Sequence, residues 1–307
     1  MKIVTDNELP LSYKTIVSIG NFDGVHIGHK RLIESLVSRS AESKTEGIVY
    51  TFAENPKNIL TGGEVKYLTG TADKMRFLSE YGAENIYFAD FSEICVLTPE
   101  DFTEQILING FNAKAVICGY DFRFGKGRRG SAERLKELLA EHHVECIIEP
   151  PVCIDGLPVS STEVRRLLAE GECERATVLL GRPYCFTLPV VYGRQIGRSL
   201  GFPTINQIFP EYRVIPAYGV YAVDCEANGE KYRGIANIGI RPTVSKSKDG
   251  PVCETHLFGF DGDLYDKTVR IYLKKRLRRE IEFSSLEELK KQINRDIEAA
   301  GDYFRGE

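Results

Sequence analysis

None of the eight cysteines in this 307-residue chain forms a Cys-x-x-Cys pair. A zinc site or a disulfide framework is therefore not expected, and the scattered thiols read as reduced, buried side chains of a cytoplasmic protein. No apolar run is long enough to span a bilayer. Asp6 and Glu8 interrupt any apolar stretch behind the first residues, so no secretory leader is expected. Positive charge is not in excess: 40 Lys and Arg against 44 Asp and Glu give a net charge of −4, which argues against a dedicated nucleic-acid binder. The chain also lacks a Gly-x-x-x-x-Gly-Lys-Ser/Thr phosphate loop, an internal repeat and any low-complexity segment. What is present is the composition of a soluble globular protein, 42% hydrophobic and 27% charged. It is long for a single core, so two domains are expected.

The two halves are patterned differently. Up to about residue 182, apolar runs at 16–19, 48–52, 85–88, 115–118 and 144–148 read as strands. Helical spacing lies between them at 29–40, 71–81, 99–108 and 131–142. Repeated β-α units predict a doubly wound parallel sheet with helices on both faces. After Gly181-Arg182-Pro183 come short strand-like runs at 186–192, 219–226, 231–238, 255–258 and 269–273, separated by Gly, Asn and Asp turns. Asn228-Gly229 is a strong hairpin signal. This half predicts a small antiparallel β-barrel, closed by a helix that Ser285 and Glu288 cap. The expected domains are residues 1–182 and 183–307.

The densest cluster of the first half is Gly20-Asn21-Phe22-Asp23-Gly24-Val25-His26-Ile27-Gly28-His29, placed on a strand-to-helix turn. Free N–H groups and the helix dipole make such a turn an anion site. Gly28 allows close backbone approach, and two of the chain's five histidines offer imidazoles to phosphate oxygens. That set suits charge developing at the α-phosphorus of ATP as pyrophosphate leaves. Two surface histidines on a turn are the plain alternative. Ser160-Ser161-Thr162-Glu163-Val164-Arg165 opens a later helix, as an ordinary cap or as a second phosphate site. The run 119–130 after the fourth strand carries Tyr120, Asp121, Phe122 and Phe124 with basic residues; it is either a solvated loop or a place to stack a planar ring and meet phosphate.

In the second half, Gly193, Gly197 and Gly201 with Arg194 and Arg198 can wrap a polyphosphate. Thr204 and Asn206 flank one residue, so on an extended segment they face the same way and offer oxygens suited to Mg²⁺. An ordinary Gly/Pro loop is the alternative. Glu254 lies beside a strand, where a carboxylate can be a surface residue or can accept the proton of an attacking alcohol. Lys274–Arg279 is the most basic run and reads as a solvated strand end, with one arginine able to turn toward a ligand or phosphate.

The His turn, the Gly-Tyr-Asp-Phe-Arg-Phe-Gly loop and the Ser-Ser-Thr-x-x-Arg helix, in that order, resemble the adenylyltransferase half of the bacterial bifunctional riboflavin kinase/FMN adenylyltransferase family. Gly201-Phe202-Pro203-Thr204-Ile205-Asn206, Gly219-Val220-Tyr221, 237–243, Glu254-Thr255-His256 and 261–265 resemble its riboflavin kinase half. The resemblance implies a Rossmann-like nucleotidyltransferase domain and a kinase barrel. His26 and His29 would polarise ATP phosphates. Gly20, Asn21, Phe22, Asp23, Gly28, Asp121, Ser161, Thr162 and Arg165 would help hold nucleotide and flavin phosphate. Gly193, Gly197, Arg198, Gly201 and Pro203 would line the kinase ATP loop, Thr204 and Asn206 would hold Mg²⁺, and Glu254 would be the general base. ATP, riboflavin, FMN and FAD are the implied substrates and products, with no nucleic-acid or membrane partner, and the oligomeric state stays open. One departure is visible: where the family has Pro-His-Pro behind Thr-Phe, this chain reads Thr51-Phe52-Ala53-Glu54-Asn55-Pro56. A nucleotidyltransferase for another small phosphate, and a regulatory RNA binder with a flavin barrel, are the alternatives left by the residues alone.

Overall fold

The computed structural model describes residues 1–53, 65–193, 197, 200–240 and 250–306. Asn55, Arg194, Arg198 and the stretch 241–243 lie outside the described residues. Contacts divide the chain into two compact units, Met1–Ser161 and Thr162–Glu307.

The first unit is built on a parallel sheet of β1 (Lys2–Val4), β2 (Thr15–Ile19), β3 (Glu46–Phe52), β4 (Asn85–Ala89), β5 (Ala113–Gly119) and β6 (Glu145–Glu149), in the spatial order 1-4-3-2-5-6. All five residues of β2 are buried, as a central parallel strand requires. Val17 and Ile19 join one core cluster with Tyr50, Phe102, Leu135 and Leu139. The helices are α1 (Ile27–Ser43), α2 (Thr71–Glu80), α3 (Pro99–Gly110) and α4 (Ala132–Glu141), and α1 packs on β2, β3 and β5. From Phe102 onward α3 has the wider π-type winding, which helical spacing alone does not reveal. The chain leaves β2 toward β3 and β4, then returns to β2's other side for β5. That reversal opens a crevice at the carboxyl ends of β2 and β5, where such sheets bind ligands.

The second unit begins with α5 (Ser161–Glu170, all but its first residue) and α6 (Cys173–Leu180). Six strands follow: β7 (Tyr184–Pro189), β8 (Ile205–Ile208), β9 (Gly219–Ala227), β10 (Glu230–Gly239), β11 (Val252–Leu257) and β12 (Thr268–Arg279). They form an antiparallel sheet in the order 7-12-9-10-11-8. The Val191–Asn206 bridge and the Gln207 Nε2 bonds to Leu188 O (2.7 Å) and Val269 O (2.9 Å) join its ends into a small barrel. The β9–β10 hairpin turns on Asn228 and Gly229, both at positive φ (53° and 83°) as a type I′ turn demands. The closing helix α7 (Leu286–Gly306) lays Ala300 and Phe304 against Val220, Ala222 and Ile235.

The basic run 274–279 ends β12 with several of its cations paired: Lys274 with Asp224, Lys275 with Glu174, and Arg278 with Asp296 through two bonds of 2.8 Å. Arg276 donates to the Tyr218 carbonyl. Contacts divide the chain after Ser161, ahead of the domain boundary expected at 182/183. The residues 162–182 belong to the second unit because α6 packs on β7 and β12, and Ala217 N donates to Leu168 O at 2.9 Å. A fragment beginning at Thr162 should therefore unfold at higher urea than one beginning at Arg182. The expected margin is at least about 2 kcal/mol, since burying one Leu side chain contributes about 1.5–3 kcal/mol. Equal urea midpoints would show that α5 and α6 add nothing to the barrel.

Candidate active sites

The turn after β2 is held in an unusual backbone shape. Phe22 (φ 48°) and Val25 (φ 42°) are left-handed without being glycine, and Gly24 (φ 81°) lies between them. Phe22 is fully buried, its ring 5.2 Å from that of His29. Asp23 is also buried: its carboxylate accepts from Leu68 N (3.0 Å), Thr69 N (3.1 Å) and Thr69 Oγ1 (3.3 Å). Both side chains thus hold the turn from inside.

His26 is the N-cap of α1. Its Nδ1 accepts from His29 N at 3.3 Å, and the Nδ1 of His29 accepts from His26 N at 3.3 Å. The two rings stack with centroids 3.6 Å apart. A nitrogen that accepts an N–H carries no proton of its own. In the neutral imidazole the proton therefore sits on Nε2, and both rings present an Nε2–H donor. Gly28 permits this packing, because a Cβ there would lie 3.1 Å from the His26 ring. The Ser161 hydroxyl donates to Asp23 O at 2.8 Å. Thr162 and Arg165 follow on α5, the first exposed and the second half-buried. Asp121 is exposed just beyond β5, the strand beside β2. In the loop around it Phe124 is buried in the core and stacks on Phe122, so Tyr120, 43% exposed, is the aromatic open to solvent.

The second site is a patch of one sheet face. Asn206 on β8 stands opposite Glu254 on β11, and Glu254 stands opposite Asn237 on β10. Directly opposed residues share a face, so these three side chains form a row. Thr204, two residues before Asn206, extends it. Gly193 leaves room for Asn206: a Cβ there would be 2.6 Å from its amide. The Gly197 carbonyl accepts from Phe202 N at 2.7 Å, and Gly201 takes φ 90°. His256, on the face of Glu254, bonds through Nδ1 to the Pro203 carbonyl at 2.8 Å. A carbonyl only accepts, so Nδ1 donates. This ties the Pro203-Thr204 segment to the strand of Glu254. Glu280, whose carboxyl is pushed up by burial and drawn down by its bond to Asn237, sits where Gly239 has no side chain. Asn237, His256 and Glu280 escaped the residue-by-residue reading; the alternation of His256 with Glu254 was the visible signal.

Thr204 and Asn206 fit a hard cation with oxygen ligands that keeps water and phosphate in its shell. Among the described residues no cluster of three His, Cys, Asp or Glu offers another metal site. A histidine-capped helix at a sheet switch point and a carboxylate–amide row on a barrel define a two-site, nucleotide-dependent transferase.

Comparison with known proteins agrees. A family model for FAD synthetase matches residues 10–163, and one for riboflavin kinase matches residues 180–304. The chain belongs to the bifunctional riboflavin kinase/FMN adenylyltransferase family. Relatives of that name are 37% identical in Buchnera aphidicola (96% of this chain, 95% of the relative) and 35% identical in Bacillus subtilis (95% and 93%). The relative in Escherichia coli K12 is 36% identical (94% and 92%). A crystal structure described as a macrolide-efflux protein from Streptococcus pneumoniae has the same fold, with TM-score 0.87, 31% identity and coverage of 98% and 99%. In the present chain no helix among the described residues is long and apolar enough to cross a membrane.

Asp23→Ala should lower the stability of the first unit by about 1–3 kcal/mol, the cost of leaving buried donors unpaired. Urea unfolding followed at that unit measures it. An unchanged midpoint, with a raised KM for ATP, would make Asp23 a ligand-facing residue instead.

Proposed function

We propose that adenylyl transfer takes place at the His26–His29 turn and riboflavin phosphorylation on the Thr204–Asn206–Glu254 face. The chain phosphorylates riboflavin to FMN with ATP, then adenylylates FMN with a second ATP to give FAD and pyrophosphate. Residues 1–182 carry the second activity and residues 183–307 the first, with 162–182 as a structural base for the barrel. The enzyme works in the cytoplasm on small molecules, without nucleic acid or membrane as partner.

The observation that carries the first assignment is the reciprocal histidine cap, which uses Nδ1 of both stacked rings as acceptor and so puts the proton of each on Nε2. An FMN phosphate oxygen attacks the α-phosphorus, and the bond to pyrophosphate breaks. Negative charge grows on the non-bridging and leaving oxygens, where these donors and the α1 N-terminus stabilise it. Gly20, Asn21 and Gly28 let the backbone approach, while Asp121, Thr162 and Arg165 help hold nucleotide and flavin phosphate.

On the barrel face, Glu254 takes the proton of the riboflavin 5′-hydroxyl as its oxygen attacks the γ-phosphorus and ADP leaves. Thr204 and Asn206 would hold Mg²⁺, which supplies neutralisation of phosphate charge when bound. Gly193, Gly197, Gly201 and Pro203, with Arg198, form the ATP loop.

His29→Ala should reduce FAD formation about 10²–10³-fold and leave FMN formation near the wild-type rate. Glu254→Gln should do the reverse, with FMN formation lowered about 10²–10⁴-fold and supplied FMN still converted. Product analysis of riboflavin or FMN with Mg-ATP reads both. Wild-type FAD formation in His29→Ala, or wild-type FMN formation in Glu254→Gln, removes the corresponding role.

A further inference from the structure

A buried ammonium lies against the turn that carries the two histidines. Lys74, one turn into α2, is 3% exposed. Its Nζ donates to Asn21 O at 2.9 Å and to Phe52 O at 2.7 Å. Strands β2 and β3 run in register to Ile19 and Tyr50, and Gly20 N adds a bond to Tyr50 O at 3.1 Å. There β2 ends, whereas β3 runs on to Phe52. Lys74 spans from the last residue of β3 to the first residues of the turn. The segment just before α2 grips the same turn from its other flank, since Leu68 and Thr69 hold Asp23, and Gly24 N donates to Thr69 Oγ1 at 3.1 Å. Left-handed backbone at Phe22 and Val25 persists only where the surroundings over-determine it. Lys74 and Asp23 are the charged groups that do so.

We propose that Lys74 is a positioning residue for adenylyl transfer: by bridging the Asn21 and Phe52 carbonyls, its ammonium keeps the turn in the shape that aims the His26 and His29 rings. The inference rests on the reading of those histidines given above.

Charge matters to this bridge, because an ammonium donates stronger hydrogen bonds to carbonyls than a neutral amine does. Burial pushes the pKa of Lys74 down to about 8, and the nearby Asp23 carboxylate acts in the opposite sense. The other titratable groups on the packed elements are His26 and His29 on the turn, Glu46 and Tyr50 on β3, Lys66 and Tyr67 before α2, and Asp73, Arg76 and Glu80 on α2 itself. Below pH 8 the bridge is cationic. Above it the amine is neutral and the turn is held less firmly.

Three measurements on the full chain test this. In the wild type, kcat for FAD formation from supplied FMN should fall as pH rises through about 8, while FMN formation from riboflavin should show no matching limb. In Lys74→Met that kcat should drop about ten- to a hundredfold, the scale of a small misplacement of catalytic groups. KM for ATP and FMN should move much less, the residual rate should have no limb near pH 8, and riboflavin phosphorylation should be unchanged. Lys74→Arg, with a permanent cation, should keep the rate and lose the limb. A second readout has the opposite sign. Because the folded pKa lies below the ordinary 10.5, the wild type binds fewer protons folded than unfolded between pH 8 and pH 10.5. Over that window it should gain stability relative to Lys74→Met while its rate falls, so unfolding is not the cause of the loss. Wild-type kcat in Lys74→Met overturns the proposal, as does a limb near pH 8 that survives in Lys74→Arg. If His29→Ala cripples FAD formation and neither lysine variant does, only the role of Lys74 fails. If His29→Ala itself is active, the reading beneath it fails.

Discussion

A left-handed turn made of ordinary L-residues cannot hold itself. Phe22 and Val25 each adopt a backbone conformation that costs about 1–3 kcal/mol, and everything the first unit does follows from how that cost is offset. A buried carboxylate collects three donors from the segment ahead of α2. A buried ring closes over Gly20, where a Cβ would lie 3.0 Å from Phe22. The sheet contributes rigidity, since β2 is enclosed on both faces. With the turn so fixed, α1 begins where its first amides and two imidazoles converge, at the point where the strand order reverses.

The second unit solves a similar problem by other means. Its candidate groups are aligned by strand register, with Asn206, Glu254 and Asn237 on neighbouring strands at one level. The side-chain period of a strand is two, so a slip of one residue would turn a member of the row to the opposite face. Several contacts pin the register. Gln207 crosses the barrel seam to two carbonyls, His256 ties down Pro203, and the type I′ hairpin sets β9 against β10.

Local signals carried most of the architecture into view from the residues alone. The β-α alternation, the His turn and the Asn228-Gly229 hairpin are each encoded within a few neighbouring residues, so periodicity and turn chemistry reveal them. What escaped depends on distant partners. Strand β1 is only three residues long and exists because β4, more than eighty residues later, pairs with it. Strand β8 is hidden behind a Gly- and Pro-rich stretch and is stabilised by β11. The partners of Asp23 escaped as well, because nothing near it in sequence announces the amides of Leu68 and Thr69. The same distance hid the acidic partners of Lys274, Lys275 and Arg278, and the attachment of α6 to the barrel.

The mutual capping of His26 and His29 has a consequence for how the site can change over generations. Each ring satisfies the other residue's backbone amide through Nδ1 and keeps its proton on Nε2, so neither position does one job that a substitute could take over alone. An asparagine at position 26 would keep a cap but lose the stacked face. A lysine at either position would bring charge but no acceptor for the amide. Loss of one histidine thus already removes half of its partner's support, and the second loss should cost much less than the first. For mutation and selection the pair behaves as a single locus, and a lineage leaving this chemistry would cross a deep valley at its first step.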